Sequence, residues 1–317
     1  MKAAIVTEAG HAPVFGEFRH PTTGPGKSVV RVTASSLSHV TRSRASGKHY
    51  SSDSALPFVP GIDGTGTTED GQRVYFIMPQ MPYGAMAEYS LIGEGHWFAL
   101  PDGLGDDAAA AMAIPGMSSW AALVERAHLR AGETVLVNGA TGASGRLAIQ
   151  IAKHLGAKRV IATARQTSSF QDLARLGADV VIALVTDRDA PEDAFRSEFQ
   201  SRVDIVLDYL WGMSAETLLV AAAKAGPDGV PIRYLQIGSM SGANIDLPSA
   251  VLRSSALQLM GSGMGSIPFP ALLKAIQGVL TAAPSANFEI ATQSMPLADV
   301  AKAWAATDTD ARIVLRP

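Results

Sequence analysis

The chain has 317 residues, 47% hydrophobic and 17% charged, with 30 glycines and 18 prolines, which excludes extended disorder and suits two domains. A formal net charge of −3 and the lack of any long Lys/Arg run argue against nucleic acid as the main partner. The absence of cysteine removes disulfide frameworks, thiolate nucleophiles, iron–sulfur clusters and cysteine-containing zinc sites.

The opening M-K-A-A-I-V-T-E-A-G loses its apolar character at Thr7 and Glu8, too early for a signal peptide. The most apolar later segment, Ala108 to Val124, is interrupted by Pro115, Gly116, Ser118 and Ser119 and falls short of the roughly 20 residues of a membrane span. The expectation is a cytoplasmic chain with no membrane anchor. From Met1 to about Pro101, short β-like runs (A-A-I-V, S-V-V-R-V-T-A, R-V-Y-F-I-M, A-E-Y-S-L-I) are punctuated by turn residues, as in an antiparallel barrel or sandwich. The glycines of G-I-D-G-T-G, with no helix after them, read as turn residues.

Helix and strand then alternate. A helix opens at Asp106 and Asp107, whose charges suit its N-terminus. Strands are predicted at 133–139, 159–164, 180–184, 203–208, 233–238 and 257–262, with helices at about 145–155 and through F-Q-D-L-A-R-L. Such alternation implies parallel pairing with right-handed crossovers. A helix near Pro270 to Thr281, a turn at Ala283 to Asn287 and a strand in A-R-I-V-L-R-P close the chain, the last returning to the first domain.

The strongest local signal is T-V-L-V-N-G-A-T-G-A-S-G-R-L-A-I-Q-I-A-K: an apolar strand, Gly139, Gly142 and Gly145, then an amphipathic helix. Unpaired amides and the positive end of the helix dipole meet a diphosphate there, and missing Cβ atoms let it approach. After the second strand, where a carboxylate usually selects NAD, the sequence is A-T-A-R-Q-T-S-S. Arg165 in that position suits a 2′-phosphate, so NADPH is the expected cofactor; the alternative is a solvated surface arginine.

The order of parts resembles the zinc-free quinone oxidoreductase-like branch of the medium-chain dehydrogenase/reductase superfamily, the branch that includes zeta-crystallin. The resemblance rests on L-P-F-V-P-G-I-D-G-T-G, Y-G-A-M-A-E-Y, A-M-A-I-P-G-M-S-S-W-A-A-L, the glycine loop, V-D-I-V-L-D-Y-L-W-G, Q-I-G-S-M-S-G, and P-L-A-D-V-A-K-A-W with the closing A-R-I-V-L-R-P. It implies an α/β protein: a GroES-like β-barrel catalytic domain from residues 1–118 and 263–317, a Rossmann doubly wound parallel sheet over 119–262, and a cofactor held in the cleft between them. Zinc-dependent relatives carry G-H-E where this chain has Gly61, Ile62 and Asp63, so no metal is expected.

The same resemblance implies cofactor contacts at Ser118, at Thr141, Gly142, Ala143 and Ser144, at Ile237 and Gly238, at Gly261 and Ser262, and at Arg312, which replaces a family lysine. The family's N-x-x-D/E-x-Y run is altered here to Ser38, His39, Val40, Thr41, Arg42, Ser43. Ser38, Thr41 and Ser43 are the candidate catalytic donors. His39 is a possible acid, Arg42 a source of positive charge or an exposed arginine, and Tyr50 a replacement for the family tyrosine. The expected reaction is NADPH-dependent reduction of a small-molecule quinone or α,β-unsaturated carbonyl by a homodimer paired through the Leu257 to Gly261 strand. Two rivals are a short-chain dehydrogenase, disfavoured because none of the six Tyr has Lys four positions later, and an NADPH-binding sensor or structural protein with little turnover.

Overall fold

The computed structural model describes residues 1–47, 56–184, 189–306 and 311–317. They fall into one unit of residues 1–114, 280–285 and 290–317 and a second of residues 115–279 and 286–289.

The first unit starts with β1 (Lys2–Ile5), β2 (Val14–Glu17), β3 (Lys27–Ser36), helix α1 (His39–Ala45), β4 (Asp63–Thr68), β5 (Arg73–Ile77), β6 (Tyr89–Gly93) and β7 (Trp97–Ala99). Helix α2 (Asp106–Ala121) follows, its residues from Pro115 on counting with the second unit. Alternation along β3 buries Val30 and Val32 against Val74 and Phe76, until a bulge between Val32 and Ala34 changes the pairing with β4. The turn reading of G-I-D-G-T-G holds only in part. Gly61 has φ +103°, but Gly64 and Gly66 lie inside β4. A Cβ at Gly64 would sit 2.8 Å from the Ala34 carbonyl, and one at Gly66 would strike the Arg31 carbonyl, so these glycines let β4 lie close against β3.

The second unit runs β8 (Thr134–Asn138), α3 (Ala143–His154), β9 (Arg159–Ala164), α4 (Phe170–Arg175), β10 (Val180–Ala183), α5 (Asp189–Gln200), β11 (Ile205–Asp208), α6 (Gly212–Ala225), β12 (Ile232–Gln236), α7 (Ser249–Arg253), β13 (Leu257–Gly261) and the first part of α8 (Phe269–Ala286), whose residues 280–285 count with the first unit. All pairs in its sheet are parallel, in the order β10-β9-β8-β11-β12-β13. This is the doubly wound arrangement, and its strand order reverses between β8 and β11. Both strands are wholly buried, as T-V-L-V-N and I-V-L-D require when a sheet is covered on both faces. Leu136, Ile161 and Val206 pack with Phe195 and Phe199 of α5 and Leu218 of α6. Helix α8 continues through the turn expected at Ala283 to Asn287; Asn287, at φ +52°, provides the left-handed residue beyond its last turn.

The chain then supplies β14 (Thr292–Pro296), α9 (Val300–Ala305) and β15 (Arg312–Arg316) to the first unit. Its larger sheet has the order β14-β15-β3-β4-β5-β7, with β6 also on β3. The closing strand thus lies beside the early strands, as its composition suggested.

Candidate functional site

The glycine loop follows β8, the strand at the switch point. Gly139 has φ +90°, and a Cβ there would meet Leu210 Cγ at 2.8 Å. Gly142 is the N-cap of α3 and makes no side-chain cap, so the first amides of the helix lack an intrahelical partner. A Cβ on Gly142 would point into open space, whereas one on Gly145 would lie 2.6 Å from Ala140 Cα and against the Gly139 carbonyl. The first glycine shapes the turn, the second leaves room for a ligand, and the third lets helix and loop touch. Thr141, Gly142, Ala143 and Ser144 therefore form one cradle at the start of an amphipathic helix, which fits a diphosphate. Arg146 Nε donates to the Thr141 carbonyl at 3.0 Å, and its guanidinium pairs with Asp172, bracing the cradle from below.

Register aligns Val137 with Ala162, so the residues after β8 and β9 emerge side by side. The Gly139 amide donates to Thr163 Oγ1 at 2.9 Å and the Ala140 amide to the Thr163 carbonyl at 3.0 Å. Arg165, two residues on, is exposed. Across the switch point, the amides of Ile237 and Gly238 donate to the Asp208 carbonyl at 2.8 and 3.1 Å. A Cβ on Gly238 would lie 2.7 Å from the Tyr209 carbonyl, which accounts for the glycine. Ser118 Oγ donates to the Pro115 carbonyl at 2.7 Å and lies 3.5 Å from Tyr209 Oη. Burial pushes the Tyr209 phenol up to about 12, so it stays protonated. Gly261 is exposed, its carbonyl taking a bond from Arg126 Nε at 3.1 Å; Ser262 is buried and its amide donates to the Gln236 carbonyl at 2.9 Å.

Sequence reasoning did not single out Asn138, Thr163, Asp208 or Tyr234, which form a buried hydrogen-bonded group beneath these loops. The signal was present in V-D-I-V-L-D, where an acid ends an otherwise apolar strand.

In the first unit, Ser38 is the N-cap of α1. Its Oγ accepts the Thr41 amide at 3.0 Å and lies 2.9 Å from Thr41 Oγ1, both residues being buried. One hydroxyl of that pair donates to the other, leaving a single proton for a further acceptor. Ser43 is half-buried one turn further along the helix. Arg42 is neither an exposed arginine nor a free positive charge: its guanidinium donates to the carbonyls of Ala303, Trp304 and Ala306 and lies over the Trp304 ring, closing the C-terminus of α9. The imidazole of His39 is held below its ordinary value by desolvation and then by Arg312 and Arg42. Tyr50 lies outside the described residues.

Arg312 is the first residue of β15, with Nε and Nη2 buried and without a hydrogen-bond partner among the described residues. Asp63 is buried, accepts from Tyr75 Oη at 2.9 Å, and has its carboxyl pushed up to about 7 by burial, against the opposing effects of Tyr75 and Arg312. Gly61 packs against the Ala85 and Met86 amides and Ile62 is buried and apolar. Among the described residues no group of three or more His, Cys, Asp and Glu is placed to hold a metal ion. Ile62 has no metal-ligating atom and the chain has no cysteine, so two ligand types that zinc-dependent relatives use are missing here.

Comparison with known proteins bears on this geometry. The family model described as zinc-binding dehydrogenase matches residues 143–278, within the second unit. A probable NADPH-dependent quinone reductase of Emericella nidulans is 30% identical over 360 aligned residues, covering 100% of both chains. The 2-methylene-furan-3-one reductase of Solanum lycopersicum is 31% identical over 202 residues, 57% of this chain and 52% of that protein. The quinone oxidoreductase of Thermus thermophilus, solved also in complex with NADPH, is 26% identical and superposes with a TM-score of 0.82 over 100% of each chain.

Proposed function

Because the chain belongs to the zinc-free quinone oxidoreductase-like family of medium-chain dehydrogenases/reductases, we propose that it is an NADPH-dependent oxidoreductase that reduces a quinone or an α,β-unsaturated carbonyl. The observation that carries this reading is the uncapped, open N-terminus of α3 at Gly142. NADPH, when bound, supplies a hydride to the electrophilic carbon of the acceptor.

The work of the chain itself is positioning and charge. Thr141, Gly142, Ala143 and Ser144 bind the diphosphate through backbone amides and the helix dipole. Arg165, exposed beside the loop, takes the 2′-phosphate; Ser118, Ile237, Gly238, Gly261, Ser262 and Arg312 complete the cofactor contacts. The Ser38–Thr41 pair, with Ser43 beside it, offers its spare hydroxyl proton to the acceptor oxygen as negative charge grows there. Thr41 lines a cleft of the first unit with Arg44, Ile62 and Tyr83, a polar-to-apolar wall suited to a conjugated carbonyl. We further read the protein as a cytoplasmic homodimer joined through β13. Among the described residues no helix is long and apolar enough to cross a membrane.

Mixing the protein with NADPH and either an ortho-quinone or an enone tests the reaction: coenzyme is consumed in proportion to acceptor. Tight binding with no oxidation by either acceptor class would replace the enzyme with the NADPH-binding sensor. Arg165→Ala is expected to weaken NADPH by roughly one to two decades and leave NADH unchanged, the worth of one charge-assisted contact. An unaltered preference in a titration of both coenzymes would remove Arg165 from the phosphate site.

A further inference from the structure

Asp208 ends β11 and is fully buried, and the coenzyme contacts above give its side chain no role. Donors surround it. Oδ1 accepts from Asn138 Nδ2 at 2.8 Å, the Leu210 amide at 3.0 Å and the Trp211 amide at 3.1 Å; Oδ2 accepts from Tyr234 Oη at 2.8 Å and from the Trp211 amide at 3.3 Å. Asn138 donates also to Ser214 Oγ at 3.0 Å and accepts at 2.8 Å from Thr163 Oγ1, the oxygen that takes the Gly139 amide. The Asp208 backbone carbonyl anchors Ile237 and Gly238. Three loops at the carboxyl ends of the parallel strands, 139–142, 209–212 and 237–238, are thus tied to one residue.

One of these loops is strained. Trp211 has φ +59° and ψ −157°, a conformation nearly confined to glycine that costs about 1–3 kcal/mol and persists only where its surroundings impose it. Both Asp208 oxygens take the Trp211 amide itself, while the Ser241 amide holds the Leu210 carbonyl at 2.8 Å, so the carboxylate is the side chain that fixes the strained residue directly. We propose that Asp208 is the positioning residue of the coenzyme site: as a carboxylate it holds the strained 209–212 loop and, through Asn138 and Thr163, the glycine loop in the spacing that binds the nicotinamide dinucleotide. The proposal rests on the dinucleotide reading of the glycine loop and adds a residue that never touches the coenzyme.

The geometry favours the anion. Asn138 Nδ2 and the Leu210 and Trp211 amides can only donate, so a protonated Asp208 would have to turn its hydrogen to Tyr234 Oη and lose the bond that Tyr234 donates to the carboxylate. Burial raises the Asp208 carboxyl above its ordinary range, against Leu210, Trp211, Tyr234 and Asn138, which lower it. The titratable group facing it is Tyr234 of β12, whose phenol burial and the carboxylate push far up, so it stays protonated. The β8, β9 and α6 residues of the network, Asn138, Thr163 and Ser214, do not titrate. A raised carboxylate means that, through this group, acidification stabilises the fold. Loss of coenzyme affinity on acidification therefore runs opposite to the stability change, which a purely structural role would not produce.

The test is calorimetric titration of the full chain with NADP⁺ from about pH 5 to about pH 8, with thermal melts of the same samples. Wild type, Tyr234→Phe and Asp208→Asn are compared. The coenzyme 2′-phosphate also titrates near pH 6, but identically for the three proteins. Expected are an acid-side fall in wild-type affinity, displacement of that fall to higher pH in Tyr234→Phe, which loses a donor to the carboxylate, and affinity about tenfold weaker in Asp208→Asn at neutral pH. An acid limb in Tyr234→Phe superimposable on wild type overturns the proposal, and so does wild-type affinity in Asp208→Asn. If Asp208→Asn shows no cooperative melt, the Tyr234→Phe profile decides alone. A wild type that does not bind NADP⁺ at any pH instead defeats the dinucleotide reading itself.

Discussion

At the scale of single residues, position along the chain and position in space disagree most at Asp63. Thr65 pairs with both Ala34 and Tyr75, and Val314 pairs with Ser36, so period-two alternation puts Asp63, Tyr75, Ser36 and Arg312 on one face of the sheet. Among the described residues Ser36 Oγ and two nitrogens of Arg312 are buried without a partner, so the polar groups on this face are poorly satisfied. The Asp63 carboxyl moves from 3.8 to about 7, so the native state keeps a proton that the unfolded chain has released. Stability from this group is greatest below the unfolded value and is lost as pH rises through about 7, with a slope of up to about 1.4 kcal/mol per pH unit. In Asp63→Asn that slope disappears: its stability relative to wild type improves from pH 4 to pH 8, read from urea midpoints. A gap constant with pH would show that Asp63 is ionised throughout. None of this was legible in G-I-D-G-T-G, because the environment of Asp63 comes from β3, β5 and the far end of the chain. The exposed place of Arg165 just after β9 was legible, since it follows from the end of one strand.

Whole elements were legible where one stretch of sequence holds all the physics. The β8 strand, the glycine loop and α3 are such a stretch, and glycine spacing alone assigns different tasks to its residues. Gly142 has φ −73° and ψ 165°, which alanine adopts freely, and open space beyond its Cα. Gly142→Ala should therefore melt within a few degrees of wild type, the N-cap difference being about 1 kcal/mol or less, yet bind NADPH at least about tenfold more weakly because the methyl occupies the face the diphosphate approaches. Gly145→Ala should instead lose about 3 kcal/mol or more, since its Cβ meets the backbone of Ala140, which cannot swing aside. Paired melts and calorimetry separate the two; equal loss of stability in both variants would refute the division of labour. Strands β7 and β14 escaped the reading for the opposite reason. One has three residues and the other, T-Q-S-M-P, is largely exposed, so only their partners β5 and β15 make them strands. Helix α1 begins where Ser38 caps it, a local signal obscured by its short run of polar residues.

For the molecule as a whole, the alternation of strands and helices foretold a parallel sheet, and D-A-R-I-V-L foretold a return to the first unit. The strand order that places β13 at a sheet edge follows from crossovers that no local pattern fixes. That edge is the basis of the proposed dimer. A free edge in a stable monomer is usually guarded by a lysine, a proline or a bulge, but L-Q-L-M-G carries no charge and no proline, and Leu259 is 37% exposed. A two-fold axis normal to the sheet would pair β13 with its own copy antiparallel, satisfying both rows of backbone groups and covering Leu259. Light scattering should then give twice the 33.1 kDa chain mass. Leu259→Lys would bring like charges together near the axis and leave the strand soluble as an edge, so it is expected to yield the single-chain mass with an unchanged melting profile at high dilution, where wild type also dissociates. A wild type of single-chain mass at micromolar concentration would show that this edge is left open. A Leu259→Lys protein that stays dimeric would move the two-fold contact to another face.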